Sequence, residues 1–381
     1  MRKVIYLGYY DDNKGFRKVS PACITMMNYV IESINNAGFP LTVVSPAVFK
    51  NGTKSVREEV QLNEKTECIF LPSCKRGAFK YSPTRLWSKA FREANLLKEL
   101  LKIVRDGDTL IVYHSLLLMN VVKQIQKKRR IHLVLQVCEV YTDVLENPSP
   151  KSRRREHDFI SSADSYIFST ELMAQMLHGE KDYVVCLGNY HSEQTDVFLS
   201  CDGKIHVVYA GTLDPRKGGA YKAAEAALYL RENYHLHILG FGSNAEISDI
   251  KEKVTSISQK TEACITYDGV LKGAEYTAFM RNCQIGLSTQ NPDALYNETS
   301  FPSKILDYMA HGLRIVSVRI PAIETSAVGP YVYFYNGKSP REIAEEIMKV
   351  DLSDSYDARG ILMQLDREFC ASLKRIIRGD A

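Results

Sequence analysis

No stretch of this sequence approaches the roughly 18 to 20 consecutive apolar residues that carry a helix across a bilayer, so no helical membrane span is expected. Nine cysteines are present, yet no two form a C-x-x-C pair and none has metal-ligand spacing. That scatter argues against a disulfide-stapled scaffold and reads as reduced, mostly buried cytosolic thiols. No internal repeat and no low-complexity segment occurs. Residues 1–9 read as a short strand running into acidic turn residues, not as a secretory leader. With a net charge of only +4 and no recognition motif, nucleic acid is not an expected partner.

What remains is an ordinary globular composition, 45% hydrophobic and 25% charged, over 381 residues. That length is too great for one core and suits two domains. Charge is unevenly placed. Residues 1–190 hold 28 Lys and Arg against 20 Asp and Glu, a net of +8, and the rest hold 21 against 25, a net of −4. The first half is therefore expected to face something anionic.

Hydrophobic patterning alternates strand and helix twice along the chain. In the first half, strands are expected at 4–8, 41–45, 67–71, 109–114, 132–137, 165–169 and 183–186. Helices are expected at 21–37 and 81–105. Residues 196–204 are polar and without periodicity, which places an inter-domain linker there. Strands at 205–210, 236–239, 265–267, 285–288 and 315–318 then alternate with helices at 219–231, 247–256, 276–282 and 302–311. Strands alternating with helices imply α/β domains with parallel sheets covered on both faces. Two doubly wound domains facing each other across a cleft are predicted, with ligands at the carboxyl ends of the strands.

Four loops of the second half fall at such strand ends. Gly211-Thr212-Leu213-Asp214-Pro215-Arg216-Lys217-Gly218 lets the backbone approach an anion and sets two cations before a helix. Gly240-Phe241-Gly242 lacks the third glycine of a dinucleotide fingerprint. Asp268-Gly269-Val270 is a turn whose backbone can read a base edge. Phe301-Pro302-Ser303-Lys304 opens a helix in which proline at the start costs nothing, and Ser303 and Lys304 bring a hydroxyl and a cation to free N–H groups. Asp307 lies one turn on, on the face of Lys304, placed to accept hydrogen bonds from a ribose.

In order and spacing, these loops resemble the nucleotide-sugar domain of GT-B glycosyltransferases, specifically the large retaining family four. The resemblance covers essentially the whole chain and is strongest over residues 205–318. The family's G-R-L-x-x-x-K-G is matched from Gly211 to Gly218, so its diphosphate-gripping lysine falls on Lys217. Its arginine falls on Thr212, a departure for which Arg216 is expected to compensate, although a hydroxyl has no bidentate fork. The second acid of the family's E-x7-E falls on Asp307 and the first on Thr299, with Glu298 adjacent. Bacterial polysaccharide enzymes with a Phe-Pro-Ser-Lys helix are similar in lacking that first acid.

The resemblance implies a GT-B architecture. Residues 1–195 are an acceptor-binding Rossmann-like domain, 196–204 a linker, 205–352 the nucleotide-sugar domain, and 353–381 a helical tail returning to the first domain. It implies transfer of a sugar from a nucleoside diphosphate, with UDP as the default, to a saccharide or lipid-linked acceptor. The products would be surface polysaccharides such as capsule, exopolysaccharide or O-antigen.

Expected diphosphate contacts are Gly211, Thr212, Arg216, Lys217, Phe301, Ser303 and Lys304. Gly240, Asp268, Val270 and Asp307 take the nucleoside. Glu139, Glu298 and Thr299 are the candidates near the reacting centre, and Tyr9, Tyr10, Arg17 and Lys18 for the acceptor. His114 reads as structural. Cations and N–H groups can stabilise the leaving diphosphate without a metal, so neither metal nor other cofactor is expected.

Two basic clusters, Lys127-Lys128-Arg129-Arg130 and Lys151 with Arg153, Arg154 and Arg155, suit peripheral contact with an anionic membrane from the cytoplasmic side. A sugar-nucleotide epimerase on the same architecture and a silent nucleotide-binding relative are the competing readings.

Overall fold

The computed structural model describes residues 3–12, 15–50, 56–72, 84–145, 147–192, 202–293, 300–337 and 339–379. Most of the expected linker, and both Glu298 and Thr299, lie outside the described residues. The chain divides into one unit of Met1–Gly188 with Arg367–Ala381 and a second of Asn189–Asp366.

The first unit begins with β1 (Val4–Leu7), α1 (Pro21–Asn36), β2 (Leu41–Ser45), β3 (Glu58–Asn63), β4 (Thr66–Phe70) and α2 (Thr84–Ile103). It continues through β5 (Thr109–Tyr113), α3 (Met119–Lys128), β6 (His132–Val137), α4 (Tyr141–Val144), α5 (Pro150–Ile160), β7 (Ser165–Phe168), α6 (Glu171–Leu177) and β8 (Tyr183–Val185). The sheet order is β3-β4-β2-β1-β5-β6-β7-β8. Every pairing is parallel except β3 with β4, an antiparallel edge that the hydrophobic pattern does not reveal.

Strands β1, β2, β5 and β7 are almost wholly buried, as expected where helices cover both faces. Their side chains and those of β6 meet in a core that includes Ile5, Leu7, Val44, Leu110, Val112, Leu133, Leu135 and Phe168. Helix starts are marked chemically. The Ser149 side chain caps α5 by accepting from the Ser152 N–H, and Thr170 caps α6 by accepting from Met173.

The second unit contains β9 (Ile205–Thr212), α7 (Gly219–Ala226), β10 (Tyr234–Phe241), α8 (Asn244–Ser258), β11 (Cys264–Gly269), α9 (Gly273–Arg281) and β12 (Ile285–Ser288). It ends with α10 (Lys304–Ala310), β13 (Arg314–Val318), α11 (Pro321–Glu324), β14 (Val332–Tyr335) and α12 (Pro340–Lys349). Its all-parallel sheet runs β11-β10-β9-β12-β13-β14. Numbered within the unit this is 3-2-1-4-5-6, the doubly wound order whose direction reverses between the first and fourth strands.

Helix α8 opens with a reciprocal Ser243–Glu246 capping box and so starts earlier than its apolar spacing suggests. Helix α10 starts at Lys304 with Ser303 as its N-cap, later than the proline suggests.

The last helix, α13 (Ala358–Arg378), has its residues from Arg367 onward in the first unit. There Phe369 stacks on Tyr29 at 5.6 Å between ring centroids. The Ile377 carbonyl accepts a 2.9 Å hydrogen bond from the Thr109 hydroxyl.

Candidate active site

In the second unit the switch point lies between β9 and β12, and the sequence explains why it stays open. These two strands pair only through Ile285 with Val207 and Gly286 with Val208, then part. The Tyr308 hydroxyl fills the opening: it accepts from the Ala210 N–H at 2.8 Å and donates to the Leu287 carbonyl at 3.2 Å. Its ring reaches there because residue 286 is glycine. A Cβ at that position would sit 2.4 Å from ring carbons of Tyr308. Thr289, just past β12, donates to the Gly219 carbonyl at 2.7 Å and so ties the start of α7 to the same place.

Lys304 and Gly211 meet at this point. A Cβ on Gly211 would come within 3.0 Å of both the Lys304 Nζ and the Tyr209 hydroxyl, so glycine leaves room for the ammonium beside bare backbone. The ammonium lies 4.0 Å from the centroid of the Tyr209 ring, a cation–π contact. Burial pushes the Lys304 pKa down to about 7, and the charge of Lys217 adds to the effect. No carboxylate among the described residues pairs with Lys304. A half-buried ammonium with no paired carboxylate among the described residues, beside glycine backbone and repelled by a second lysine, is chemically suited to an anion.

Around this centre the expected donor residues are placed as follows. Lys217 is exposed, and Thr212 is half-buried at the end of β9. Arg216 is exposed and turned onto its own loop: its Nε and Nη2 contact the two oxygens of Asp214 at 3.0 and 2.8 Å. Such an exposed pair is weak, about 0–1 kcal/mol, so the fork can be recruited by a better anion. Phe301 is half-buried and Ser303 exposed. Asp307 is half-buried and accepts from the Tyr276 hydroxyl through Oδ2. Tyr276, in turn, is pushed well above the normal phenol range by burial and then by the charge of Asp307.

Gly240 is buried, its carbonyl accepting from the Tyr267 hydroxyl at 3.0 Å, and Val270 is exposed. Asp268 faces inward instead. It is held by His237 at 3.1 Å and by Thr266 at 2.8 Å. Burial alone would raise its pKa, but the hydrogen bonds and charge of His237 and the Thr266 hydroxyl keep it below the usual carboxylate range.

The first unit has its own switch point, between β1 and β5. Tyr9 is half-buried and Lys18 exposed, but Tyr10 and Arg17 are interior. Arg17 is 3% exposed, contacts Asp11 at 3.3 Å and Glu58 at 2.6 Å, and lies over the Phe70 ring at 3.5 Å. The Tyr10 hydroxyl donates to Asn28 at 2.8 Å. Both side chains organise the loop, which corrects the expectation that they offer free groups to a ligand. Glu139 is exposed just beyond β6.

His114, at the end of β5, is buried with its Nε2 at 2.7 Å from Glu156. Its Nδ1 is buried and has no hydrogen-bond partner among the described residues. Glu156 also accepts the N–H groups of Tyr141 and Thr142. Burial raises its pKa, but the hydrogen bonds from His114 and Thr142 prevail and hold it below the ordinary value. Tyr209, Tyr276 and Tyr308, which contact Lys304, Asp307 and the Ala210 N–H, are not among the residues expected from the sequence. Their positions in sequence, next to Gly211 or Asp307 or inside α9, carry no signal of their own.

Residues 204–350 match the family model described as glycosyl transferases group 1. No curated protein matches the chain in sequence. Among solved structures, the chain is similar to the E. coli trehalose-6-phosphate structure bound with UDP-2-fluoro glucose, with a TM-score of 0.66 at 10% identity over 99% of this chain and 98% of that one. It is similar to α,α-trehalose 6-phosphate synthase from Burkholderia multivorans, at 0.64 and 12% over 100% and 98%. It is also similar to a glycosyltransferase from Rickettsia africae ESF-5, at 0.63 and 10% over the whole of both chains. Residues 204–350 thus carry the likeness to group 1 glycosyltransferases, and the whole chain has the GT-B fold. The family match lies in the second unit, and the structural likenesses establish the fold.

Proposed function

We propose that this enzyme transfers a hexose from a UDP-sugar, with retention of anomeric configuration, to a saccharide or lipid-linked saccharide during bacterial surface polysaccharide synthesis. One observation carries the donor reading: the Lys304 ammonium lies beside the bare backbone of Gly211 at the switch point with no carboxylate paired to it among the described residues, and it feels the charge of Lys217. A diphosphate is the ligand that uses both cations together with the backbone.

The chemistry follows from charge. As the sugar departs, negative charge grows on the β-phosphate oxygen. Lys304, whose pKa is about 7 before binding, becomes fully protonated against that charge, and Lys217 reinforces it. Arg216 joins by leaving Asp214, and the Ser303 hydroxyl adds a neutral donor. Asp307 retains Oδ1 for the ribose while Tyr276 holds Oδ2. Uridine as the base draws support from the UDP-2-fluoro glucose bound in one similar structure. Retention draws support from another, described as giving insight into enzymatic glycosyltransfer with retention.

Lys18 and Tyr9 in the first unit suit an acceptor, and Glu139 remains the candidate for contact near the transferred sugar. The acceptor's membrane location is supported by the basic surface of α3 and α5, which pack together. Lys127, Lys128, Arg130, Lys151, Arg153 and Arg154 are all exposed there, each contributing about 1 kcal/mol near an anionic leaflet. No helix among the described residues is long and apolar enough to cross a membrane, so attachment through this surface is peripheral.

The test is release of nucleoside diphosphate from a panel of UDP- and GDP-sugars, with and without lipid-linked saccharides, and the product anomer read by NMR. Transfer from a UDP-sugar with retained configuration is the expected result. Interconversion of nucleotide sugars without any acceptor would make the protein an epimerase. Binding with neither transfer nor hydrolysis would make it a silent relative.

A further inference from the structure

Three histidines of the second unit meet far from the donor site. Strand β10 reads His235-Leu236-His237, and the two-residue period of a strand puts both imidazoles on one face. His206 of β9 stands opposite His235 in the ladder and joins them. One ring nitrogen of each lies within 4.8 Å of the others. The rings of His235 and His237 are 3.8 Å apart between centroids, and those of His206 and His237 are 5.1 Å apart and nearly parallel. His206 precedes Thr212 by six residues and His237 stands opposite Val208, four before it, so at about 3.3 Å each the cluster sits roughly 13 to 20 Å from the donor end of β9.

Hydrogen bonds fix which nitrogens turn outward. His206 Nε2 meets Asp202 Oδ1 at 3.2 Å, and His237 Nδ1 meets Asp268 Oδ2 at 3.1 Å. The Thr266 hydroxyl donates to Asp268 at 2.8 Å and therefore accepts from His235 Nε2 at 3.1 Å. The remaining nitrogens of His206 and His237, Nδ1 and Nε2, face each other at 2.8 Å.

A proton count shows what this arrangement requires. Carboxylates only accept, so the outer nitrogens of His206 and His237 both carry protons. A neutral imidazole has one proton to give. Its inner nitrogen is then a lone pair, and two lone pairs would face each other at 2.8 Å. With that proton pattern a cation between them relieves the contact, either one extra proton or a metal ion. His235, donating through Nε2, adds a third lone pair at Nδ1. A proton can satisfy one pair of nitrogens, whereas a divalent ion satisfies all three.

The geometry points to a binding site for a divalent transition metal of the zinc type, formed by His206, His235 and His237, with Asp202, Thr266 and Asp268 holding their outer N–H groups. Imidazole ligands whose second nitrogen donates to a carboxylate or hydroxyl are the usual surroundings of bound zinc. Zn–N bonds of about 2.0–2.1 Å in tetrahedral geometry set ligand nitrogens about 3.3 Å apart, so the inner pair opens by roughly half an ångström. The fourth position falls to water. At this distance from the donor site the ion cross-links β9 and β10 and takes no part in sugar transfer.

The test uses the full chain without an affinity tag, stripped with chelator and titrated with Zn2+ by calorimetry and with Co2+ by absorption spectroscopy. The expected result is one ion per chain, with tetrahedral cobalt bands. Affinity should fall at least tenfold in His235→Gln and in His206→Gln, and be unchanged in His178→Gln, with circular dichroism confirming that each variant is folded. A folded parent chain that binds no zinc at pH 7.5 would overturn the proposal, leaving a proton as the shared cation. Binding that His235→Gln and His206→Gln leave unchanged would overturn it too.

Discussion

Lys304 makes the donor site sensitive to pH in a direction that can be worked out. In the free enzyme its pKa is about 7, lowered first by burial and then by Lys217. A diphosphate binds the protonated form and so raises that pKa. The sign follows: below pH 7 the lysine is already charged and affinity is constant, whereas above pH 7 binding must first take up a proton. Each further pH unit then costs about 1.4 kcal/mol, a factor of ten, so affinity should fall roughly thirtyfold between pH 6.5 and 8.5. The assay is calorimetry with UDP-glucose, whose diphosphate diester does not titrate in this range, in buffers of different ionisation enthalpy to count protons. About one proton should be taken up at pH 8.5 and almost none at pH 6. Lys304→Met should lose about 1.5–3 kcal/mol of binding at pH 6.5, ten- to 150-fold, and its remaining affinity should not vary with pH. Lys217→Met should move the midpoint upward, because the neighbouring charge is gone. Affinity of the parent that is flat from pH 6.5 to 8.5, or a slope that survives in Lys304→Met, would refute the reasoning.

Other substitutions separate folding from binding. A methyl at Gly240 would lie 2.7 Å from the Gly211 carbonyl oxygen, a backbone atom that cannot step aside. Gly240→Ala should therefore cost about 1–3 kcal/mol in denaturant unfolding. A methyl at Gly211 meets only the Lys304 Nζ and the Tyr209 hydroxyl at 3.0 Å. Gly211→Ala should thus fold normally while weakening UDP-sugar binding, as measured by calorimetry. Tyr308→Phe removes a buried hydroxyl from the Ala210 N–H and the Leu287 carbonyl, and the midpoint of urea unfolding should drop by the equivalent of about 1–3 kcal/mol. Arg17→Met leaves Asp11, only 2% exposed, without its cation, and should destabilise the first unit by about 3–5 kcal/mol. If Arg17→Met changed only the KM for acceptor and not stability, the buried role assigned to Arg17 would be wrong.

Much of the architecture was legible because the second sheet is parallel and the first is parallel apart from its β3 edge. Buried strands such as Val4–Leu7 and Ile285–Ser288 read as short apolar runs, and glycine or proline marks their ends. Strand Glu58–Asn63 was not legible. At a sheet edge, only Val60 and Leu62 turn inward even partly, and the other four residues, Glu58, Glu59, Gln61 and Asn63, are acids and amides that leave no apolar run.

In the proposed site, Lys217, Lys304 and Asp307 are residues that the sequence offers, because their spacing follows strand-loop-helix units. Tyr308 was not, since its role depends on where β9 and β12 part. Arg17 was misread because the side chains that enclose it, Phe49, Glu58 and Phe70, come from elsewhere in the chain. The His235-Leu236-His237 alternation was there to be read, but only the partner strand supplies His206, and with it the cluster.

The most direct test of the donor site is calorimetric titration of UDP and GDP into the parent protein and Asp307→Ala. Saturable binding of UDP in preference to GDP, weakened by about 1.5–3 kcal/mol or ten- to 150-fold in the variant, is the predicted result. Failure of either nucleotide to bind, or binding that Asp307→Ala leaves unchanged, would contradict it.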